Sequence, residues 1–427
     1  MNYSEEQRQV IFEDSDRVQV VAGAGSGKTF TMVSLICRLL EEGREKPSEI
    51  LVITFSRKAA EEISERIERR VGKTDVRVHT FHAYCLQVIR KFHPEYSRNL
   101  PEIISDAERD SFMKNFFHSH RFRVGGIPFE FLLSEQDRIL EKYFPDLDSL
   151  LRVSFSEYKI QNARLEFSDL VKIFLDGMSL KEDWAMNAAS EIRRVIVDEF
   201  QDTDPEQMEW LRLLNPEKLT VVGDDWQAIY GFRGASTKPF LEFSKVFSPC
   251  RVLFLSNNYR SLSDIIRTSA LPISMNRNNI QKSAVPVREG TGTVQKYFIR
   301  EETDWNLLKE HMNGKEFRVL CRTNFRKKTL SKYGFAEDAL LTVHASKGLE
   351  FHSVVLDLTS GWSSDSEISE EQKEEERRIL YVALSRAKDE LIIAGKYRPD
   401  KKEKKFLESE FFQYFKGLDE LRLFPDT

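Results

Sequence analysis

The sequence predicts an α/β protein built on two parallel, doubly wound sheets, and three observations predict it. Short β-branched runs alternate with helical stretches near both ends of the chain. A strand-like run, Val18 to Val21, breaks into Ala22-Gly23-Ala24-Gly25-Ser26-Gly27-Lys28-Thr29 and then into the helical Phe30-Thr31-Met32-Val33-Ser34-Leu35-Ile36. A second apolar run, Val195-Ile196-Val197, ends in the paired acids Asp198-Glu199. Strands separated by helices of this length need crossover connections, which set neighbouring strands parallel.

Taken in order, strands are predicted at Val18–Val21, Ile50–Phe55 and Val76–Thr80, with helices near 28–42, 58–71 and 81–92. From about 93 to 190 the strand runs vanish. Polar helices with phenylalanine pairs appear there (Phe116-Phe117, Phe129 to Leu133, Leu147 to Leu151), broken by Gly125-Gly126 and Pro128, so the segment reads as a helical insertion. The alternation resumes with Val195–Val197, Leu219–Val222 and Val252–Leu255. A second series follows at Thr293–Ile299, a helix to about 312, Phe317–Cys321, Leu340–His344, Val354–Leu358, a helix from about 370 to 384, and Leu391–Ala394. This reads as a second parallel-sheet domain without a glycine-rich loop of its own. The tract from Ser363 to Glu376 is the most acidic in the chain and reads as a solvated loop leading into an acidic helix start.

Size and composition set wide bounds. At 427 residues the chain has room for several cores. A hydrophobic fraction of 41% with 11% aromatics describes an ordered globular chain. The net charge of −5 excludes a uniformly basic coat, yet 64 Lys and Arg leave ample charge for a basic groove. Cys37, Cys85, Cys250 and Cys321 are far apart and form no metal-type spacing, which suits reduced thiols. The polar start, Ser4-Glu5-Glu6-Gln7-Arg8, is unlike a signal peptide, and no apolar run reaches membrane-spanning length, so a cytoplasmic protein is expected.

The loop from Ala22 to Thr29 carries the first chemistry. Small residues let successive backbone N–H groups turn inward on phosphate oxygens, Lys28 supplies a point charge for the β- and γ-phosphates, and Thr29 offers a hydroxyl to Mg²⁺. Ala22 stands where the pattern usually has glycine, and alanine still leaves space for the turn. The Asp198-Glu199 strand end belongs beside such a loop: Asp198 can hold Mg²⁺ through water, and Glu199 can orient and deprotonate an attacking water. These residues call for ATP and Mg²⁺ but do not say what the energy is used for.

Val197-Asp198-Glu199-Phe200-Gln201-Asp202-Thr203 resembles motif II of superfamily 1A helicases, the UvrD/Rep/PcrA group, and further similarities follow in order along the chain. Ser4 to Arg8 is similar to the N-terminal glutamine motif, Thr54-Phe55-Ser56-Arg57-Lys58-Ala59-Ala60 to motif Ia, and His79-Thr80-Phe81-His82 to motif Ib. Val222 to Ala235 resembles motif III, Asn258-Tyr259-Arg260-Ser261 motif IV, Thr342 to Phe351 motif V, and Leu380 to Ala387 motif VI. The resemblance implies two RecA-like motor domains. The first, 1A, would span 1–92 and 191–262 and be split by a helical 1B-type insertion at 93–190. The second, 2A, would span 263–427. Only residues 261–341 separate motifs IV and V, so the large 2B domain of longer members is expected to be absent or reduced to a short loop near 325–340.

The resemblance also implies roles. Gln7 would read adenine, Tyr259 stack on it and Glu350 meet the ribose, with Gly23, Ala24, Gly25, Ser26 and Gly27 around the phosphates. Gln227 would sense the γ-phosphate, and Arg260 and Arg386 would neutralise it. Phe55, Tyr230 and Phe232 would stack on single-strand bases, while Arg57, Thr80, His82, Arg233 and His344 would contact the DNA backbone. Three residues depart from the family pattern: Phe232 replaces tryptophan, Arg57 stands where asparagine is frequent, and Phe30 stands where relatives carry arginine. None removes a catalytic group.

The expected activity is an ATP-dependent, single-stranded DNA translocase or helicase of 3′→5′ polarity. The alternative is a DNA-stimulated ATPase serving as sensor or regulatory subunit of a larger complex, for example with a nuclease as in phage-defence systems. A P-loop enzyme unrelated to nucleic acid, such as a kinase, leaves motifs Ia, Ib, V and VI without an account.

Overall fold

The computed structural model describes residues 2–120, 122, 140, 143–231, 235–362, 369–396 and 411–423. The Phe129 to Leu133 run, the Gly125-Gly126 and Pro128 breaks, residues 363–368 of the acidic tract, and Phe232 and Arg233 lie outside the described residues.

Six strands form the first sheet in the order Arg77–His79, Ile50–Ile53, Arg194–Val197, Lys218–Gly223, Arg17–Ala22 and Arg251–Leu255. The four pairings from Ile50–Ile53 across to Arg251–Leu255 are parallel, with Val20 opposite Val222 on one side and Leu253 on the other. Successive side chains on a strand point to opposite faces. Accordingly Ile50, Val52 and Ile196 pack on one face with Met32, Ile36, Leu39, Ile63 and Ile67, Val18, Val20, Val222, Leu253 and Leu255 pack with Val10 further along that same face, and the alternate positions Leu51, Val195, Val197 and Val221 are buried on the other. Helices on both faces explain why these strands read as continuous apolar runs instead of alternating ones.

The second sheet has the order Leu340–Thr342, Phe317–Cys321, Phe351–Asp357, Ala387–Lys396, Thr293–Ile299 and Asp419–Glu420, again parallel throughout. Val354 and Leu356 face a layer containing Ile379, Leu380 and Ala383, and Val355 faces the opposite layer with Trp305, Leu308 and Leu330. Three of this domain's elements, Thr293–Ile299, Phe317–Cys321 and the Glu370–Leu384 helix, have the expected bounds, while the two central strands start earlier than expected, at Phe351–Asp357 and Ala387–Lys396 instead of Val354–Leu358 and Leu391–Ala394. Ser369 caps that helix in a capping box, with Glu370 and Glu371 in its first turn, as an acidic helix start requires. Residues 324–331 form a helix and Glu337–Ala339 a single 3₁₀ turn.

Both sheets lie in one compact unit, Met1–Val78 with Arg193–Met208 and Pro216–Thr427. A second unit comprises His79–Ile192 and Glu209–Asn215. Its core sets Phe81, Tyr84 and Phe174 around the Trp210 indole, with ring centroids 5.4 to 5.6 Å from it. A further cluster joins Met113, Phe116, Phe117, Leu140 and Leu151. The expectation that strands vanish in the insertion misses one feature, a two-residue parallel bridge between Glu102–Ile103 and Arg164–Leu165. Arg164 fixes it by pairing with Glu108 at 3.0 Å. No helix among the described residues is long and apolar enough to cross a membrane.

Candidate functional site

The Arg17–Ala22 strand delivers the chain into the Gly23 to Gly27 turn, and the Lys28–Glu41 helix starts directly from it. Gly25 and Gly27 have φ of +71° and +80°, a region that penalises a side chain. At Gly25 a Cβ would also stand 2.7 Å from that of Arg260, so the motif IV chain packs directly on the loop. The loop is braced further by Asn258, whose amide donates to the Ala24 carbonyl (2.8 Å), by the Tyr259 N–H donating to the Gly25 carbonyl (2.9 Å), and by the Tyr381 hydroxyl accepting from the Ala24 N–H (3.3 Å). Gln7 caps its own helix through Ser4 and borders Gly27. Phe30, the unusual residue after the loop, packs against Tyr3 with centroids 5.9 Å apart.

The Arg194–Val197 strand ends at Asp198, whose N–H donates to the Ile53 carbonyl at 2.8 Å. Glu199 then adopts φ +52°, a left-handed conformation that costs a non-glycine residue about 1–3 kcal/mol and persists only where its surroundings enforce it. Burial and then the Glu199 charge raise the Asp198 carboxyl well above the usual range. Burial works against Glu199 too, but Lys28, Lys347 and the Gln201 amide outweigh it and hold this carboxyl below its usual value. The two adjacent acids are thereby driven apart. Lys28 acts electrostatically on both and on Asp202 and Asp224.

A polar network spreads from these acids. Gln201 donates to Glu199 and accepts from the Asp224 N–H at 2.8 Å. Asp224 accepts from the Gln227 amide, and the Gln227 carbonyl oxygen Oε1 accepts from Arg386 Nη2 at 3.1 Å. Arg386 is fully buried and also donates to the Val382 and Leu349 carbonyls and the Ser385 hydroxyl. Burial first, and Arg260 second, lower its guanidinium to about 9. Arg260 forms a 2.7 Å ion pair with Glu350, which also meets Lys388 at 2.6 Å. Tyr259 remains exposed.

One group absent from the expected site residues stands between this network and the aromatic residues. Lys347 donates to Asp202 and to the Gln227 backbone carbonyl (2.9 Å), and its ammonium lies 4.7 Å from the Tyr230 ring centroid. Tyr230 stacks on Phe55 with centroids 4.8 Å apart and planes 16° from parallel. His344 Nε2 lies 3.2 Å from the Ile229 carbonyl, so it borders the same loop. Arg57 is exposed at the start of the Arg57–Val71 helix that follows Phe55. Thr80 and His82 belong to the second compact unit, where Thr80 caps the Phe81–Phe92 helix and His82 makes an edge contact with Phe167.

The donor set fits a nucleotide with Mg²⁺. The Ser26 hydroxyl is buried in the loop without a hydrogen-bond partner, as a group awaiting a phosphate oxygen would be. Thr29 and Asp198 supply oxygen donors. Such a site suits Mg²⁺, which takes one or two protein oxygens together with substrate phosphates. Sequence reasoning passed over Lys347, Gln201, Asp202 and Tyr381. The signal present was their place inside the quoted motifs.

Comparison with known proteins bears on this geometry. A family model described as the UvrD/REP helicase N-terminal domain matches residues 3–248, and one described as the UvrD-like helicase C-terminal domain matches residues 336–396. Among curated proteins, the ATP-dependent DNA helicase PcrA of Staphylococcus epidermidis is 28% identical over 359 residues, covering 78% of this chain and 49% of the relative. That of Staphylococcus aureus is 28% identical over 355 residues, covering 77% and 48%. The chain spans about half the length of the curated relatives it matches.

Proposed function

This chain belongs to the UvrD/REP helicase family, and from that premise we propose that it hydrolyses ATP to move along single-stranded DNA in the 3′→5′ direction, in the cytoplasm. The observation that carries the reading is the buried Gln227–Arg386 hydrogen bond, because it joins the segment beside Asp198 and Glu199 to a helix end on the second sheet. Lys28 and the loop N–H groups bind the phosphates. Glu199 takes a proton from the attacking water, while Arg260 and Arg386 neutralise charge on the departing phosphoryl group. Thr29 and Asp198 would hold Mg²⁺, which would supply charge neutralisation at the phosphates when bound. Gln7, Tyr259 and Glu350 hold the adenosine. To reach the phosphoryl group, Arg260 and Arg386 exchange their present partners, so each catalytic cycle alters the second sheet's grip on the first.

Phe55 and Tyr230, together with Phe232, stack on bases, and Arg57, Thr80, His82, Arg233 and His344 hold the backbone. The motor divides as 1A (1–92 and 191–262), 1B (93–190) and 2A (263–427), with 2B absent or vestigial. A second reading, an ATPase subunit that senses DNA for a partner such as a nuclease, is favoured by the short 261–341 segment between motifs IV and V. Unwinding of duplexes with a 3′ or a 5′ tail decides between them. The first reading expects strand separation of the 3′-tailed duplex by the chain alone, and a DNA-stimulated ATPase that separates neither supports the second.

A further inference from the structure

Lys282 lies outside every motif of the family resemblance, on the connector that follows the Ile273–Met275 turn. Its side chain is only 5% exposed, and its ammonium stands 2.5 Å from one oxygen of Asp224 and 2.5 Å from one oxygen of Asp225, both fully sequestered from solvent. The other oxygen of each acid is already committed. Asp225 Oδ2 accepts the Ile280 N–H at 2.8 Å, and Asp224 Oδ2 accepts the Gln227 amide at 2.5 Å. The ammonium also lies 4.8 Å from the Trp226 ring centroid, and the Trp226 indole donates to the Ile280 carbonyl at 3.3 Å. The connector is fastened at its other end to the helix that leads to Arg386: the Arg277 N–H donates to Glu374 at 2.8 Å, and the Asn276 amide donates to the Glu374 carbonyl at 3.0 Å.

Hydrogen-bonding chemistry gives this arrangement a consequence. An ionised carboxylate only accepts and a guanidinium only donates. With Asp224 ionised on one side and Arg386 on the other, the Gln227 amide has one satisfied orientation, NH₂ toward Asp224 and oxygen toward Arg386. Lys28 also acts on Asp224, but Lys282 is the cation in contact with both acids, and two adjacent buried carboxylates without a contacting counter-ion do not both stay ionised. A protonated Asp224 can donate as well as accept, so the amide is then held in that orientation from the Arg386 side alone.

We infer that Lys282 is a positioning residue for ATP hydrolysis, holding Asp224 as a carboxylate so that Asp224 fixes the Gln227 amide toward Arg386. The inference rests on the reading of the cleft as an ATPase site. Steady-state ATP turnover by the full chain with single-stranded DNA tests it. Lys282→Met lowers kcat by about 10²-fold, the scale of a misplaced catalytic group, and leaves KM for ATP unchanged. In a Gln227→Ala background the same substitution produces no further loss, because the group it acts through is gone. Asp224→Asn leaves Lys282 paired with Asp225 and keeps the side-chain shape, so it tests the same step even where Lys282→Met fails to fold. Its kcat falls by a similar factor, again without effect in the Gln227→Ala background. Wild-type kcat in either folded variant, or losses that multiply fully with Gln227→Ala, overturn the inference. Where the unsubstituted chain hydrolyses no ATP, the proposed function fails and the inference falls with it; where only the variants behave as wild type, the inference alone fails.

Discussion

Arg386 and Phe55 are held in opposite ways. The guanidinium is fully buried and divides its donors among Val382, Leu349, Gln227 and Ser385, while the Phe55 ring is 39% exposed and lies flat on Tyr230. The network proposed to bind nucleotide is a cross-linked set of charges in which each group satisfies another, so removing one strands its partner and the losses do not add. The ring pair is a surface stack in which each ring contributes its own contact. The cleft is therefore built for a few large effects and the ring pair for several small ones, with Lys347 touching both.

That contrast can be broken at either end. On the proposed function, Arg386→Ala costs the largest factor, about 10³–10⁵ in ATP turnover, the range for arginine fingers. Single-turnover hydrolysis measures it, and a thermal melt checks that the substituted helix end still folds. Glu199→Gln follows at about 10²–10⁴ in turnover with nucleotide binding retained, the span expected for a general base. Fluorescent nucleotide titration beside steady-state kinetics separates the two quantities. Equal losses of binding and turnover would instead mark Glu199 as a binding residue. Phe55→Ala and Tyr230→Ala each weaken single-strand affinity by about 1–3 kcal/mol, the value of one base–aromatic stack. Fluorescence anisotropy with a short oligonucleotide reads this. Losses above that range in both variants would place the rings inside a cooperative network like that of the cleft. The smallest effect belongs to Arg57→Ala, which lowers the slope of log affinity against log salt by about 0.7, one phosphate contact on a single strand.

Legibility in the sequence follows the same division. Whatever is carried by contiguous residues could be read directly. The β-branched runs gave the strands because both faces of each sheet are covered, and the Ala22 to Thr29 turn and the Asp198-Glu199 strand end lie at the same end of the first sheet, with the Lys218–Gly223 strand between them. What could not be read depends on pairs far apart in the chain. Lys282 meets Asp224 across a long sequence separation, Arg260 meets Glu350 at an even greater one, and nothing near Lys282 distinguishes it from any surface lysine. The left-handed backbone at Glu199 is likewise imposed by its neighbours, since glutamate has no preference for it. The bridge between Glu102–Ile103 and Arg164–Leu165 is too short to leave a period in the sequence.

The central claim is that the charge network of the cleft and the exposed rings belong to one motor, so that DNA on the rings changes hydrolysis in the cleft. ATP turnover by the purified chain, measured with and without saturating single-stranded DNA, tests it most directly. The account predicts a strong rise with DNA that disappears in Lys28→Ala. Turnover of the same size with and without DNA would contradict it.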